Sequence, residues 1–301
     1  MTVADLKREV LVRHLETWAP AALHRRRATY LHGYADQDGG APAEAALRVF
    51  AEQSDLVRGR ELTMLAIGVD VGDLSGRLAG VQAKAGAAGL VVHTVEGETD
   101  ARLGVALKAV GAQRVPLLGY LDATAASGPP APATLAALAA GKPAEVLAVL
   151  APGAVTDVDA YRAELRATGF PLAAAVELAT GDEPGELMIF ATTQGKSLEQ
   201  FKDTLWAVDE YAGVRYRDPG DPERHLIDIT LMPHPGPLKR ELLGHLAGGA
   251  ATVTELRTFA LTETVYRAAD ATRVLHTLLN SGAVRRSPEQ GRLGGDVTIE
   301  L

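Results

Sequence analysis

Hydrophobic residues along this chain follow two different spacings. Near the N-terminus, Leu6, Val10, Leu15 and Trp18 lie near helical spacing and predict an amphipathic helix. Beyond them, apolar runs typical of buried strands alternate with stretches of helical spacing. The predicted strands are ATYLHGYA, LTMLAIGV, LVVHTV, VPLLGYL and AEVLAVLA, and the predicted helices are PAEAALRVFAEQ, LSGRLAGVQAKAG, TDARLGVALKAV and PATLAALAAG. This alternation predicts an α/β fold, a doubly wound and mostly parallel sheet with helices on both faces.

The pattern changes after the helical stretch DAYRAELRATG. Two apolar runs, FPLAAAVEL and ELMIFATT, are separated by the turn-forming stretch ATGDEPG. They predict an antiparallel pair that finishes the sheet. A Rossmann-like sheet closed in this way is typical of class I methyltransferases rather than of dinucleotide dehydrogenases.

A stretch rich in Pro and Gly, LMPHPGPLKR, marks the predicted end of the α/β region. We therefore predict a Rossmann-like domain over 1–232, a linker over 233–238 and a small α+β domain over 239–301. The last part reads helix, helix, helix, hairpin, and Thr252 with Glu255 forms a capping-box signal. This order resembles a winged helix.

Composition narrows the classes of function. The chain has 301 residues, 47% of them hydrophobic, so it can bury a large core, and it has no cysteine, which excludes disulfides and thiolate chemistry. The net charge of −8 argues against general coating of nucleic acid. We find neither a signal peptide nor an apolar run long enough to span a membrane, and we expect a cytoplasmic protein.

Several stretches together resemble the three-Cys-motif partner family, whose fold is like that of S-adenosylmethionine-dependent methyltransferases. The chain begins with LKREVLVRHLETWAPAALHRRRATYLHGYA, similar to the family's first helix and strand, and continues with VPLLGYLDATAASGPPAPATLAALAAGKPAEVLAVL, similar to its fourth-strand region. The nearest match is GELMIFATTQGKSLEQFKDTLWAVDE, in which Lys202, Asp203, Trp206, Val208 and Asp209 fit the family pattern. The resemblance implies that S-adenosyl-L-methionine is the cofactor and that a three-cysteine protein is the partner.

The chain departs from that pattern in its first loop. Where the family has Asp, Gly, an aromatic residue, Ala and Gly, this sequence has His32, Gly33, Tyr34, Ala35 and Asp36. Small residues let backbone N–H groups approach a ligand closely, whereas Asp36 adds bulk and negative charge near the expected methionyl carboxylate. Gly39 and Gly40 could shift the turn and compensate in part.

The second and fourth strands also depart from the family. An acid that accepts the ribose hydroxyls is expected where Gly68 stands; Asp70 could replace it or could cap the next helix. The fourth strand ends in Asp122, the candidate catalytic residue, without the Pro-Phe-Gly that follows in the family. Asp122 could instead cap its own turn. The predicted cofactor-binding residues are therefore His32, Gly33, Tyr34, Ala35, Asp36, Gly39, Gly68 and Asp70.

Other candidates have alternatives that the sequence leaves open. His32 could be a base or a half-buried histidine with local hydrogen bonds. Asp36 and Asp38 could bind a hard cation or face water, and we predict no metal site. The turn between Glu96 and Asp100 could bind adenine, although Thr99 capping the next helix is the simpler account.

The predicted winged-helix region carries several basic candidates. They are Arg267, Arg273, Arg285, Arg286 and Arg292, with His276 beside them, and they could contact nucleic acid or a partner protein. Two functions therefore stay open: a methyltransferase with a degenerate cofactor site and weak or lost activity, and a non-catalytic scaffold or sensor.

Overall fold

The computed structural model describes residues 2–208 and 213–301; Asp209, one of the residues that carry the family resemblance, lies outside this part. Within it, nine strands form a sheet in the order β3-β2-β1-β4-β5-β7-β6-β8-β9, and strands β1 to β5 are parallel. Those strands are β1 (Arg27–Gly33), β2 (Glu61–Gly68), β3 (Leu90–Glu96), β4 (Leu117–Ala123) and β5 (Ala144–Leu150). The order reverses between β1 and β4, as in a doubly wound fold.

The predicted antiparallel pair is present, but it does not finish the sheet. It consists of β6 (Leu172–Ala179) and β7 (Glu186–Thr192), and β7 runs antiparallel to both β5 and β6. Two short strands that the sequence analysis missed, β8 (Arg215–Arg217) and β9 (Leu226–Ile227), continue the sheet beyond β6. Strands of two or three residues are too short for a period of two to be recognised. The arrangement is a methyltransferase-like Rossmann fold.

Helices cover both faces of the sheet, as the alternation predicts. One face packs against α1 (Val3–Leu23), α2 (Ala41–Glu52), α3 (Gly72–Ala85) and α7 (Gly195–Ala207). The other packs against α4 (Thr99–Ala109), α5 (Pro132–Leu138) and α6 (Val158–Thr168). Helix α1 starts at a capping box, in which Thr2 and Asp5 satisfy each other's backbone N–H groups.

The C-terminal region has the predicted helices and hairpin, with one short strand in addition. Its elements are α8 (Gly236–Ala247), β10 (Ala251–Thr252), α9 (Val253–Glu263), α10 (Ala268–Asn280), β11 (Arg285–Ser287) and β12 (Thr298–Glu300). The capping box at Thr252 and Glu255 is observed. The domain boundaries at 232 and 239 stay a prediction. Apolar residues of α8, α9 and α10 belong to the same core as those of α1 and α7.

Helix α7 ties the C-terminal region to the sheet. The buried ammonium of Lys202 donates to the carbonyl oxygens of Ala260 (2.9 Å), Thr264 (2.5 Å) and Tyr266 (2.7 Å). Burial lowers the pKa of Lys202 to about 7. On the same helix, the Trp206 indole N–H donates to the Val265 carbonyl. The residues behind the family resemblance in this helix therefore have a structural role.

Membrane insertion through a helix is not indicated. Across the described ranges, none of the helices combines the length and the apolar character that a bilayer requires.

Candidate functional site

The carboxyl ends of β1, β2 and β4 are where a doubly wound sheet offers a ligand cleft. The loop after β1 is held there by protein contacts. The Tyr34 amide donates to Thr99 Oγ1 (2.8 Å), and the Ala35 amide donates to the Ile67 carbonyl (2.8 Å). Tyr34 has a φ of +52°, a conformation that is uncommon outside glycine. These two N–H groups already have acceptors within the chain, so they are not available to a ligand.

Gly33 is required for packing within the protein. A Cβ added there would lie 2.6 Å from Leu121 Cδ2 and 2.8 Å from Thr99 Cγ2. Gly39 differs, because a Cβ there meets nothing within 4 Å and its φ of +61° alone favours glycine. Its carbonyl accepts a hydrogen bond from the Arg77 guanidinium.

The side chain of Asp36, from the loop after β1, lies beside the carboxyl end of β2. The Val69 amide donates to Asp36 Oδ1 at 3.2 Å, and a Cβ added to Gly68 would overlap the same oxygen. The sequence analysis expected this carboxylate beside a cofactor carboxylate, and it expected β2 to end without an acid. In the fold, the acid of the first loop takes the space above Gly68. The absence of a side chain at Gly68 makes that position possible.

Two helix caps that the sequence analysis considered are not observed. Asp70 is exposed, and the N-cap of α3 is Val71, which makes no side-chain capping bond. Thr99 does not cap α4, whose N-cap is Glu98; its buried hydroxyl bridges to the β1 loop. Neighbouring Asp100 accepts from the Ala131 amide and the Thr134 hydroxyl at the start of α5. Tertiary contacts therefore use groups whose local sequence suggested a cap. Glu96 is exposed.

Asp122 is the centre of a buried ionic cluster. Lys7 of α1 places Nζ 2.8 Å from Asp122 Oδ2 and 3.0 Å from Glu186 Oε2. Asp122 Oδ1 also accepts from the Thr124 amide and hydroxyl, so its expected role in its own turn is observed as well. Burial lowers the pKa of Lys7, but the attraction of Asp122 and Glu186 outweighs this, and the net shift is upward. Burial raises the pKa of Glu186.

His32 is fully buried, not half-buried as expected. Its Nδ1 lies 2.7 Å from the Tyr30 hydroxyl, and its ring centroid lies 4.9 Å from that of Tyr120. Burial lowers the pKa of His32 to about 3. The imidazole is therefore neutral near pH 7. A group with so low a pKa is a poor general base there.

The fold thus brings Asp36 to Gly68 and gathers His32 and Asp122 on the α1 face, while Asp70 stays apart. The sequence analysis missed Lys7 and Glu186. A signal was present, since Lys7 lies in the apolar stripe of α1, four residues before Leu11, where a charge is out of place. Glu186, which pairs with Lys7 from more than a hundred residues away, had no such signal.

Three of the five candidate arginines of the C-terminal region form ion pairs or hydrogen bonds within the protein. Arg267 and Arg273 both pair with buried Asp270, and Arg286 donates to three carbonyl oxygens of its own hairpin. Arg285 and Arg292 are exposed. The predicted recognition helix therefore pairs both of its arginines with its own Asp270.

A cluster of potential metal ligands was not predicted. Asp221, Glu223 and His225 bring ligand atoms within 4.8 Å of one another. Arg240 lies 3.5 Å from Glu223 and also contacts His225, so a guanidinium already supplies positive charge. In the first loop, where a cation at Asp36 and Asp38 was considered but not predicted, Asp36 Oδ1 accepts from the Val69 amide.

Comparisons with known proteins add little to this geometry. No protein-family model matches the chain, and no curated protein matches it. One similar solved structure is EvdMO1, with 15% identity and a TM-score of 0.38 over 65% of this chain and 44% of that chain. Another is a precorrin-6Y C5,15-methyltransferase targeted domain from Corynebacterium diphtheriae, with 12% identity and a TM-score of 0.31 over 60% of this chain and 94% of that one. The chain spans less than half of EvdMO1, and the fold assignment rests on strand order.

Proposed function

We propose that this protein keeps the methyltransferase fold but has weak or lost methyl transfer, and that it acts as a binding or scaffold protein. The proposal rests on one observation: polar groups at the carboxyl ends of the strands are hydrogen-bonded to one another. The amides of Tyr34, Ala35 and Val69 donate to protein acceptors, and the Asp36 carboxylate covers Gly68. A cofactor would have to displace these contacts.

The residues at this edge fit S-adenosylmethionine poorly. Asp36 adds negative charge above β2, and Asp122 is held by Lys7 and Thr124. His32 is buried and neutral, so it supports no proton transfer near pH 7. We therefore derive no catalytic step from these groups.

Membership of the three-Cys-motif partner family is part of this proposal. It is supported by the stretches quoted above, and it implies association with a three-cysteine partner. Lys202 and Trp206, which carry the strongest resemblance, anchor the C-terminal region. A structural role for these residues is compatible with a shared fold that does not by itself fix activity.

The test is isothermal titration of the purified protein with S-adenosylmethionine and with S-adenosylhomocysteine. We expect no heat from the wild type at micromolar ligand. Asp36→Gly should bind measurably better, because it frees the Val69 amide and removes a negative charge. The matched control is Asp38→Gly, an exposed acid in the same turn with a φ of +50°, and it should leave affinity unchanged.

Binding by the wild type with a micromolar Kd, about −8 kcal/mol, would overturn the proposal and make a search for a methyl acceptor worthwhile. Lower affinity of Asp36→Gly would show that Asp36 holds the ribose in place of the missing acid, and would equally contradict the proposal.

A second candidate is contact with nucleic acid through the C-terminal region. It is supported by two exposed side chains. Arg285 is the first residue of β11, and Arg292 lies in the loop between β11 and β12. The pairing of Arg267 and Arg273 with Asp270 weighs against it.

A further inference from the structure

A cavity opens at the amino ends of β4 and β5, on the side of the sheet away from the carboxyl-end cleft. Its volume is about 300 Å³, at the lower end of the range for small-molecule sites. Helix α1, the start of α7 and the residues before the two strands surround it. Its apolar walls are Trp18, Ala21, Ala22, Pro116 and Pro143.

Three buried polar side chains line this cavity. Glu145 Oε1 accepts from the Ser197 hydroxyl at 2.6 Å, and Glu145 Oε2 lies 3.2 Å from His14 Nε2. Glu145 and His14 are 3% and 2% exposed. Because Ser197 faces the carboxylate and not the imidazole, the trio lacks the serine–histidine contact that activates a nucleophile. The arrangement is suited to binding.

The charge of Glu145 is incompletely balanced. In the described ranges, His14 is the sole ionisable side chain within ion-pair distance of this carboxylate. If His14 is neutral, a buried negative charge stays without a cation, which is costly. If His14 is protonated, its Nδ1 becomes a buried donor, and this atom has no hydrogen-bond partner among the described residues. An ammonium group from a ligand would supply the missing cation beside a neutral His14, since a carboxylate offers about four acceptor sites.

The mouth of the cavity has the opposite charge. Lys196 and Arg25 line it and are exposed. A simple amine would be repelled by these cations as it enters, whereas a ligand with a carboxylate at its far end would be attracted. The apolar walls between the two charged zones suit a hydrocarbon chain.

We propose that this cavity binds a small ω-amino acid. Its ammonium donates to Glu145, its hydrocarbon chain packs against the walls, and its carboxylate lies near Lys196 and Arg25. An α-amino acid is excluded by the same geometry, because its carboxylate would be adjacent to the ammonium and would face Glu145. The site is independent of the cleft at the carboxyl ends of the strands.

The experiment is isothermal titration of the full-length protein with γ-aminobutyrate, δ-aminovalerate and ε-aminocaproate, with valerate and pentylamine as half-ligands. We expect at least one ω-amino acid to bind, pentylamine to bind more weakly and valerate not to bind. Glu145→Gln should lower affinity for the ω-amino acid about tenfold or more, because the negative charge that pairs with the ligand's ammonium is lost. Lys196→Gln, at an exposed position, should weaken it by a few-fold and should not weaken pentylamine binding, which loses only a repulsion.

Lys84→Gln is the matched control, an exposed lysine on α3 outside the cavity lining, and it should change neither affinity. Absence of heat from every ω-amino acid at millimolar concentration would overturn the proposal. So would unchanged affinity in Glu145→Gln. If that variant fails to fold by circular dichroism, Lys196→Gln decides: equal effects on the ω-amino acid and on pentylamine would refute the proposed orientation.

Discussion

The two edges of the large sheet differ in how their buried charges are satisfied. At the carboxyl ends, Asp122 has an ammonium partner in Lys7, and Asp36 has a backbone amide. At the amino ends, Glu145 has a hydroxyl and an imidazole, and a cavity adjoins them. At the carboxyl ends, where a ligand was expected, these acids therefore have partners within the protein. At the amino ends, where none was expected, Glu145 has no lysine or arginine partner among the described residues. Position in a fold suggests a site, but unsatisfied polar groups are what a ligand can use.

Helix α1 contributes to both edges. Lys7 and His14 are seven residues apart, about two turns, so they lie on one face of the helix. Lys7 meets the acids at the carboxyl ends, and His14 meets Glu145 at the amino ends. Lys7 supplies a cation at the carboxyl ends, whereas at the amino ends no lysine or arginine among the described residues pairs with Glu145.

The largest effect is expected from Lys7→Met, which removes the cation of the paired edge. Asp122 and Glu186 would stay buried without an ammonium, so the free energy of unfolding should fall by about 3–5 kcal/mol in urea denaturation at pH 7. The control Lys108→Met changes an exposed lysine of α4 and should stay within about 0.5 kcal/mol. A loss below about 1 kcal/mol for Lys7→Met would mean that this edge is not closed by charge pairing.

Gly68→Ala tests whether Asp36 fills the end of β2. The new Cβ would overlap Asp36 Oδ1 and lie 3.0 Å from Val71 Cγ1, so the free energy of unfolding should fall by about 1–3 kcal/mol. In Asp36→Ala the same substitution should cost less, giving a non-additive double-mutant cycle. Gly76→Ala, in the interior of α3 with open space around it, should instead stabilise by up to about 1 kcal/mol. Additive costs at positions 36 and 68 would contradict the contact.

The pH dependence of stability should reveal the buried neutral imidazole of His32. Its pKa falls from 6.5 to about 3 on burial, so between these values the unfolded chain binds a proton that the folded chain does not. Stability is therefore fully present above pH 6.5 and is lost as the pH falls, at up to about 1.4 kcal/mol per pH unit. Urea denaturation from pH 4.5 to pH 7 should show a shallower dependence for His32→Asn. The exposed-site control His276→Asn should keep the wild-type slope, and equal slopes in all three proteins would refute a depressed pKa.

The smallest effect is expected in the C-terminal region, where Arg267 and Arg273 pair with Asp270 and the exposed basic candidates are Arg285 and Arg292. Arg285→Gln with Arg292→Gln should change the affinity for a labelled DNA duplex by less than about twofold at low salt, measured by fluorescence anisotropy. A larger loss, with a salt dependence reduced by about two charges, would favour the nucleic-acid candidate.

The sequence alone determined the local part of this protein. Helical and strand periods predicted the parallel strands, the antiparallel pair after them and the helices on both faces, because side-chain spacing reports which face of an element is buried. The capping box at Thr252 and Glu255 was also predictable, since its partners are three residues apart. Asp122 was identified as a candidate from its position at a strand end, and its bond to Thr124 is local as well.

Only the tertiary structure decided which charges meet. Lys7 and Asp122 are 115 residues apart, His14 and Glu145 are 131 apart, and Asp36 reaches Val69 across 33 residues. The docking of α1 across the sheet and the crossing of the β1 loop to β2 create these contacts, and no local spacing encodes them. Thr99 shows the converse, because its hydroxyl accepts from the Tyr34 amide of the β1 loop and does not cap α4 as its local sequence suggested. Local periodicity selects a fold, whereas the availability of a site depends on pairs that form only when distant elements pack.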